Sequence, residues 1–354
     1  MKNRIGLFSE GNNYYSTFFP LVEEFLKNDI EITYYSLDKN DKIFQIQSEK
    51  IKFKYLGKGI ISYLNFLLIN VDILVSTTPN IGCKNYNFKK PLGVGNLIHI
   101  FHSVSDISIY RKGSLDNYDT VILCGDFQKQ SIRELEEKRG LAKKKIVSLG
   151  VPYLDYLYKE KSVFRNDLAK KKDKKSTVLI ASSWGSKGCF EIYGVNFIKL
   201  ILKKYKVILR PHPYSLVIER KMIDDLMREL NKYDITWDLD TSPTKSMQNS
   251  DILISDTSSI RFDYSLIYNK PLITLDIPSN NMKGYEIESL NNNWIEEVDK
   301  KIWLTINKSK IARINSYIQS LLSNKTKSSS EAKYLVKNLG KASEQIVKYI
   351  TSLS

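Results

Sequence analysis

The sequence predicts an α/β protein made of two Rossmann-like halves, each a parallel sheet covered by helices. Three observations carry this. Short apolar strand candidates alternate with helix-length segments along most of the 354 residues, the pattern of βαβ units. A charged stretch without a long apolar run, Lys159 to Lys175, separates that alternation into two sets. In the second set, Asp251-Ile-Leu-Ile-Ser-Asp-Thr-Ser-Ser259 reads as a buried strand running through a tight polar turn into a helix.

Taken in order, the first half offers strands at Ile5 to Phe8, Ile30 to Tyr35, Val71 to Val75, Leu97 to Phe101, Thr120 to Leu123 and Ile146 to Leu149, with helices such as Phe18 to Lys27 and Gln128 to Lys138 between them. This gives a first domain over 1–158 and a linker over 159–175. The second domain, 176–327, has strands at Thr177 to Ala181, Val207 to Leu209, Ile235 to Trp237, Ile252 to Ile254 and Leu272 to Leu275. The tail from Ser328 to Ser354 reads as helical and is expected to pack back on the first domain. Two such domains, with parallel sheets facing across a cleft, form the GT-B arrangement.

Composition limits the function classes. A net charge of +15 suits nucleic acid, anionic lipid surfaces or anionic substrates and does not choose among them. The lysine run at 170–175 lacks interleaved aromatics, and no helix-turn-helix, RNA-recognition or zinc signature appears, so nucleic acid is not an expected partner. Cys83, Cys124 and Cys189 are odd in number and far apart, as in a reducing compartment, and no metal motif emerges. The amino terminus passes directly into a strand pattern without a signal-peptide core. The most apolar window, Ile60 to Val75, is short for a span and carries Asn65, Asn70 and Asp72. The expectation is a cytoplasmic protein able to lie on the inner membrane face.

Two segments carry chemistry. In the first, Asp256 or Thr257 can cap a helix whose first turn holds Ser258 and Ser259. Hydroxyls, backbone N–H groups and the positive helix end would then converge on one spot suited to a phosphate. A capped helix without ligand is the competing reading. In the second, Val207-Ile-Leu-Arg-Pro-His-Pro213 presents Arg210 and His212 at the carboxyl end of a strand, where open α/β sheets bind ligands, and the prolines hold the loop rigid. A salt bridge to a nearby carboxylate is the structural alternative for Arg210.

These residues resemble the CDP-glycerol glycerophosphotransferase family of teichoic acid and capsule polymer synthesis. That family carries a basic residue shortly before His-Pro, then Asp-Ile-Leu-Ile-Thr-Asp-Tyr-Ser-Ser, a Phe-Asp-Tyr and a Lys/Arg-Pro. The matches here are Arg210 to Pro213, Asp251 to Ser259, Phe262 to Tyr264 and Lys270-Pro271, within a resemblance over roughly residues 95 to 280. Thr257 replaces the family Tyr and Ser255 the family Thr. The family also has a His-Gly-Thr at the end of a first-half strand, whose His is taken as the base that activates the acceptor hydroxyl. The matching residue is His102, followed here by Ser103 and Val104.

The resemblance implies a GT-B transferase that moves a glycerol-phosphate or related alditol-phosphate unit from a CDP-linked donor to a hydroxyl of a lipid-linked or polymeric cell-surface glycan, releasing CMP. It needs no cofactor beyond that donor. His102 would be the base, because imidazole is poised near neutral pH. Arg210 would fork onto phosphate, His212 would hydrogen-bond or protonate an oxygen, and Thr257, Ser258 and Ser259 would add donors. Smaller expectations fall on Ser186 and Lys187 in the loop Ser182-Ser-Trp-Gly-Ser-Lys-Gly188, on Asp263 as a partner of Ser259 or a ribose, and on Gly11, Asn12 and Asn13 as an acceptor loop. His99 reads as a core histidine, and Asp238-Leu-Asp240 as a strand end. Two other functions stay open: a GT-B glycosyltransferase using a nucleotide sugar for surface polysaccharide, and a non-catalytic binder of anionic polymer or nucleic acid.

Overall fold

The computed structural model describes residues 3–83, 88–164, 175–185, 188–277, 283–291, 298, 302–323 and 334–353. The chain divides into two compact units, one of Met1–Lys159 with Met282–Asn293 and Leu335–Ser354, the other of Glu160–Asn281 with Trp294–Tyr334.

Unit 1 is built on β1 (Ile5–Ser9), α1 (Tyr15–Lys27), β2 (Ile32–Ser36), β3 (Ile51–Tyr55), α2 (Gly59–Leu67), β4 (Asn70–Ser76), β5 (Gly93–Ile100), β6 (Thr120–Leu123), α3 (Gln128–Arg139), β7 (Lys145–Ser148) and the start of α4 (Pro152–Phe164). Its seven strands pair in parallel in the order β3-β2-β1-β4-β5-β6-β7. Strand order therefore reverses between β1 and β4. The inner strands are continuous apolar runs because helices cover both faces, and every residue of β1 and β6 is buried. Strand β3 is absent from the sequence expectation. It is an edge strand in which Ile51 points inward while Lys52 and Lys54 face water, a pattern that protects a free edge and weakens the apolar signal.

Unit 2 continues with β8 (Thr177–Ala181), α5 (Cys189–Leu202), β9 (Lys206–Arg210), α6 (Ser215–Ile218), α7 (Arg220–Glu229), β10 (Ile235–Trp237), α8 (Thr244–Asn249), β11 (Ile252–Ser255), α9 (Ile260–Asp263), β12 (Leu272–Leu275), β13 (Leu304–Ile306) and α10 (Ile314–Ser323). Its six parallel strands run β10-β9-β8-β11-β12-β13, reversing between β8 and β11. A core of Val178, Ile180, Phe197, Ile198, Leu209 and Ile254 fills one sheet face. Edge strand β13, three residues long, also escaped the sequence reading.

Domain boundaries differ from the sequence expectation for reasons that lie in long-range contacts. The expected linker opens inside α4, and its residues 165–174 lie outside the described residues. The expected second domain, 176–327, is interrupted, because segment 283–291 belongs to unit 1. Glu286 is buried there and accepts hydrogen bonds from both terminal nitrogens of Arg139 and, at 2.9 Å, from the Gly113 N–H. In the tail, helix α11 (Ala342–Thr351) packs on α1 through Ile346, Val347 and Ile350. The Asp155 carboxylate accepts from the N–H groups of Ala342 (3.1 Å) and Ser343 (2.7 Å), capping that helix from α4. The segment before it passes so close to Gly125 that a Cβ there would lie 1.8 Å from the Leu335 carbonyl oxygen. Only glycine fits.

Candidate functional site

Ligands of open α/β sheets sit beyond the carboxyl ends of the strands where strand order reverses. In unit 2 that point lies between β8 and β11, and it is built around Asp256. Its carboxylate is fully buried and accepts from the N–H groups of Ser183 (3.0 Å to each oxygen), Cys189 (2.8 Å) and Ser258 (3.1 Å), and from the Ser182 hydroxyl (3.3 Å). The sequence reading gave Asp256 a local capping role. The structure extends it to the β8–α5 loop, more than sixty residues away in the chain. Glu219 holds the middle of the same loop, accepting from the Gly185 N–H at 2.8 Å. Its second carboxylate oxygen is buried without a partner among the described residues.

Around this anchored frame lie the groups open to a ligand. Ser258 and Ser259 are half-buried, and their hydroxyls have no hydrogen-bond partner among the described residues; Thr257 is exposed. On the loop after β9, the half-buried His212 accepts a hydrogen bond at Nδ1 from the Tyr214 N–H at 3.1 Å. That bond fixes the neutral tautomer and leaves Nε2–H as the ring's donor. Burial, helped by the nearby Arg210 charge, lowers the His212 pKa, while Asp256 and Glu219 pull it back up. The tilted rings of Trp184 and Tyr214 lie 5.7 Å apart and are both exposed, a flat apolar surface beside the histidine. Glu219, Trp184 and Tyr214 were missed as site residues, although an aromatic in a Gly-rich βα loop was a visible signal.

Arg210 lies near His212, but its guanidinium is engaged elsewhere. Its guanidinium is buried and turned onto Asp238 at 2.7 Å, with further bonds to the carbonyls of Thr241 (3.0 Å) and Ser242 (3.5 Å). The donor-binding expectation for Arg210 is corrected to a buried ion pair that braces the carboxyl ends of β9 and β10. Asp263 is likewise buried in α9, so its expected contact with a ribose is corrected to an interior role. Ser186 and Lys187 lie outside the described residues. Lys270, part of the quoted Lys-Pro, donates to the carbonyls of Met247 (3.0 Å), Gln248 (2.8 Å) and Ser250 (2.6 Å), and burial lowers its pKa to about 8. It terminates α8 and plays a structural part.

In unit 1 the order reversal falls between β1 and β4, and the loop after β1 reaches the loop after β5. The Tyr14 ring meets the His102 ring edge-on at 5.3 Å. His102 has no hydrogen bond to any described residue, its Nδ1 is buried, and burial pushes its pKa down to about 4. It is a neutral imidazole at pH 7. His99 sits wholly inside, its Nε2 at 3.3 Å from the Tyr110 hydroxyl and its ring against Phe101 and Tyr118. The expected acceptor loop divides. Asn12 is occupied, donating to Asp38 and the Asn40 carbonyl at 2.9 Å each and accepting from the Lys42 N–H at 2.8 Å. Gly11, at φ 129°, leaves room for the Asp38 side chain. These two are corrected to a tie between the β1 and β2 loops; Asn13 alone is exposed.

A family model described as CDP-glycerol:poly(glycerophosphate) glycerophosphotransferase matches residues 108–288, which include the Arg-Pro-His-Pro and Asp-Thr-Ser-Ser segments and begin just after His102. No curated protein matches the chain. Among solved structures, the wall teichoic acid polymerase TagF soaked with CDPG is 14% identical, with 99% of this chain and 88% of that chain covered and a TM-score of 0.63. A putative UDP-N-acetylglucosamine 2-epimerase from Listeria monocytogenes is 13% identical over 100% and 97% of the two chains, with a TM-score of 0.62. WaaG, a glycosyltransferase involved in lipopolysaccharide biosynthesis, is 10% identical over 98% and 99%, with a TM-score of 0.55. These likenesses establish the GT-B fold class.

Proposed function

The chain belongs to the CDP-glycerol:poly(glycerophosphate) glycerophosphotransferase family, and from that premise we propose that it transfers a glycerol-phosphate or related alditol-phosphate unit from a CDP-activated donor to a hydroxyl of a lipid-linked or polymeric cell-surface glycan. The observation that carries this reading is the set of donors at the strand-order reversal of unit 2: the Nε2–H of His212 and the hydroxyls of Ser258 and Ser259, which have no hydrogen-bond partner among the described residues. Such donors suit a pyrophosphate, and the Trp184–Tyr214 surface suits a cytosine ring. No metal-ligand cluster accompanies them among the described residues.

In this reading His102 accepts the proton of the acceptor hydroxyl. The acceptor oxygen bonds to the alditol-linked phosphorus, the bond from that phosphorus to the bridging oxygen breaks, and CMP leaves with that oxygen. Charge on the departing phosphate is met by His212 and the two serines. With a pKa near 4, His102 is a weak base in the absence of substrate. An anionic substrate beside it raises that pKa and makes it a better one.

The test supplies CDP-glycerol and UDP-sugars in parallel with a glycan acceptor and measures nucleotide release. CMP release from CDP-glycerol is expected, and His102→Ala should lower turnover by about 100-fold or more with donor affinity nearly unchanged. Nucleotide release from sugar donors alone would replace this reading with a glycosyltransferase. Binding of anionic polymer with steep salt dependence and no turnover would replace it with a non-catalytic binder.

A further inference from the structure

The groups without a hydrogen-bond partner among the described residues of the unit 2 site differ in kind. At the Ser258–Ser259 turn and on the loop after β9 they are hydrogen-bond donors, two hydroxyls and the Nε2–H of His212. At Glu219 the remaining group is an acceptor. One oxygen of its carboxylate takes the Gly185 N–H at 2.8 Å, and the other is buried with no partner among the described residues. Asp256, the second carboxylate of the site, is already held by Ser182, Ser183, Cys189 and Ser258. A carboxylate oxygen kept out of water without a donor is costly, and a ligand that brings the donor relieves that cost.

The charge of Glu219 excludes phosphate as the ligand group it meets, because two anions at short range repel. Its neighbours are aromatic. Trp184 precedes the bonded Gly185, and Tyr214 and Glu219 flank the short helix α6 at its two ends. The two rings lie 5.7 Å apart and are 51 and 55% exposed. Glu219 is also close enough to His212 for its charge to raise the pKa of that ring, so the acceptor and the donors belong to one site. Exposed aromatic faces beside one fixed acceptor suit a planar base that carries a donor. Cytosine has such a donor in its exocyclic N4 amine. Uracil places O4 there, an acceptor that a carboxylate repels.

We propose that Glu219 selects the base of the nucleotide, a role that rests on the nucleotide-transfer reading of this site: its second oxygen accepts from the N4 amine of cytosine, with Trp184 and Tyr214 against the ring, and CDP is favoured over UDP. Glu219→Gln gives this a direction, because the Gly185 N–H orients the new side chain. The amide oxygen stays on that N–H, and the NH2 group takes the place of the second carboxylate oxygen. The variant then offers a donor to uracil O4 and opposes a donor to cytosine N4.

Calorimetric titration with CDP and with UDP reads binding apart from turnover. Wild type is expected to bind CDP about tenfold or more tighter than UDP, and a CDP analogue with hydrogen in place of the N4 amine should lose that advantage. The analogue needs no variant. Glu219→Gln, with a melting temperature close to that of wild type, should bind CDP about tenfold more weakly and UDP more tightly, so that the preference disappears or reverses. An unchanged preference in the folded variant overturns the role of Glu219, as does an analogue that wild type binds as tightly as CDP. Equal losses for CDP and UDP that 2′,3′-dideoxy-CDP does not share would place the carboxylate on the ribose instead. Binding of neither nucleotide by the folded wild type would remove the nucleotide site itself, and with it the reading on which this role rests.

Discussion

Removing the Asp256 carboxylate should loosen both loops of the proposed donor site at once. In Asp256→Ala, the N–H groups of Ser183, Cys189 and Ser258 lose a charged acceptor at 2.8 to 3.1 Å, and the Ser182 hydroxyl loses a contact at 3.3 Å. Each buried donor left unpaired costs roughly 1–3 kcal/mol. Ser258 is only half-buried, so its N–H regains water and contributes least. Unit 2 should therefore lose about 3–5 kcal/mol in urea denaturation and melt roughly 10 °C earlier. Calorimetric titration with CDP-glycerol should show a donor affinity about tenfold or more weaker, because the β8–α5 loop and the Ser258–Ser259 turn no longer share an anchor. Asp256→Asn provides the graded comparison. Its one remaining oxygen can serve either Ser258 or Cys189, which use opposite oxygens of the carboxylate, while the new amide faces the other N–H. About half the destabilisation should remain. An Asp256→Ala protein within about 0.5 kcal/mol of wild type would refute the reasoning, since a satisfied buried carboxylate cannot be removed so cheaply.

Three further outcomes follow from particular contacts. Ser258→Ala/Ser259→Ala should weaken CDP-donor affinity by roughly 1–3 kcal/mol in the same titration, with only slight loss of stability, because Asp256 still binds the Ser258 N–H; an early melt with normal affinity would make the serines structural. Arg210→Ala should leave Asp238 buried without its partner and cost about 3–5 kcal/mol of unfolding free energy, whereas Arg210→Ala/Asp238→Asn should recover part of it. Acidification should destabilise unit 1 through His99, whose pKa burial lowers from 6.5 to about 3. The unfolded chain takes up a proton below pH 6.5 that the folded chain refuses, so this contribution is complete above pH 6.5 and is lost progressively as pH falls towards 3. Between pH 7 and pH 5 it amounts to about 2 kcal/mol, and His99→Gln should flatten that part of the denaturation profile.

What the sequence determined by itself was the local order of things. Apolar runs such as Leu7-Phe8 and Ile252-Leu253-Ile254 must be buried on both faces, and alternation with helix-length segments makes their sheets parallel, so both units and most of their inner strands were legible. The hydroxyl row at 257–259 and the position of His212 beyond a strand end were equally local and could be read from neighbouring residues. Only the tertiary structure decided which partner each polar group took. Arg210 finds Asp238 twenty-eight residues on, Asp256 gathers donors from a loop more than sixty residues back, and Glu286 and α11 return to unit 1 after the first and the second stretch of unit 2 in the chain. The physical reason is that periodicity along the chain reports which face of an element meets apolar surroundings. A buried charge is instead satisfied by whatever donor the packing of distant elements brings within about 3 Å. The edge strands β3 and β13 escaped for a related cause: at a sheet margin one side is open to water, and the apolar run that marks an inner strand is no longer required.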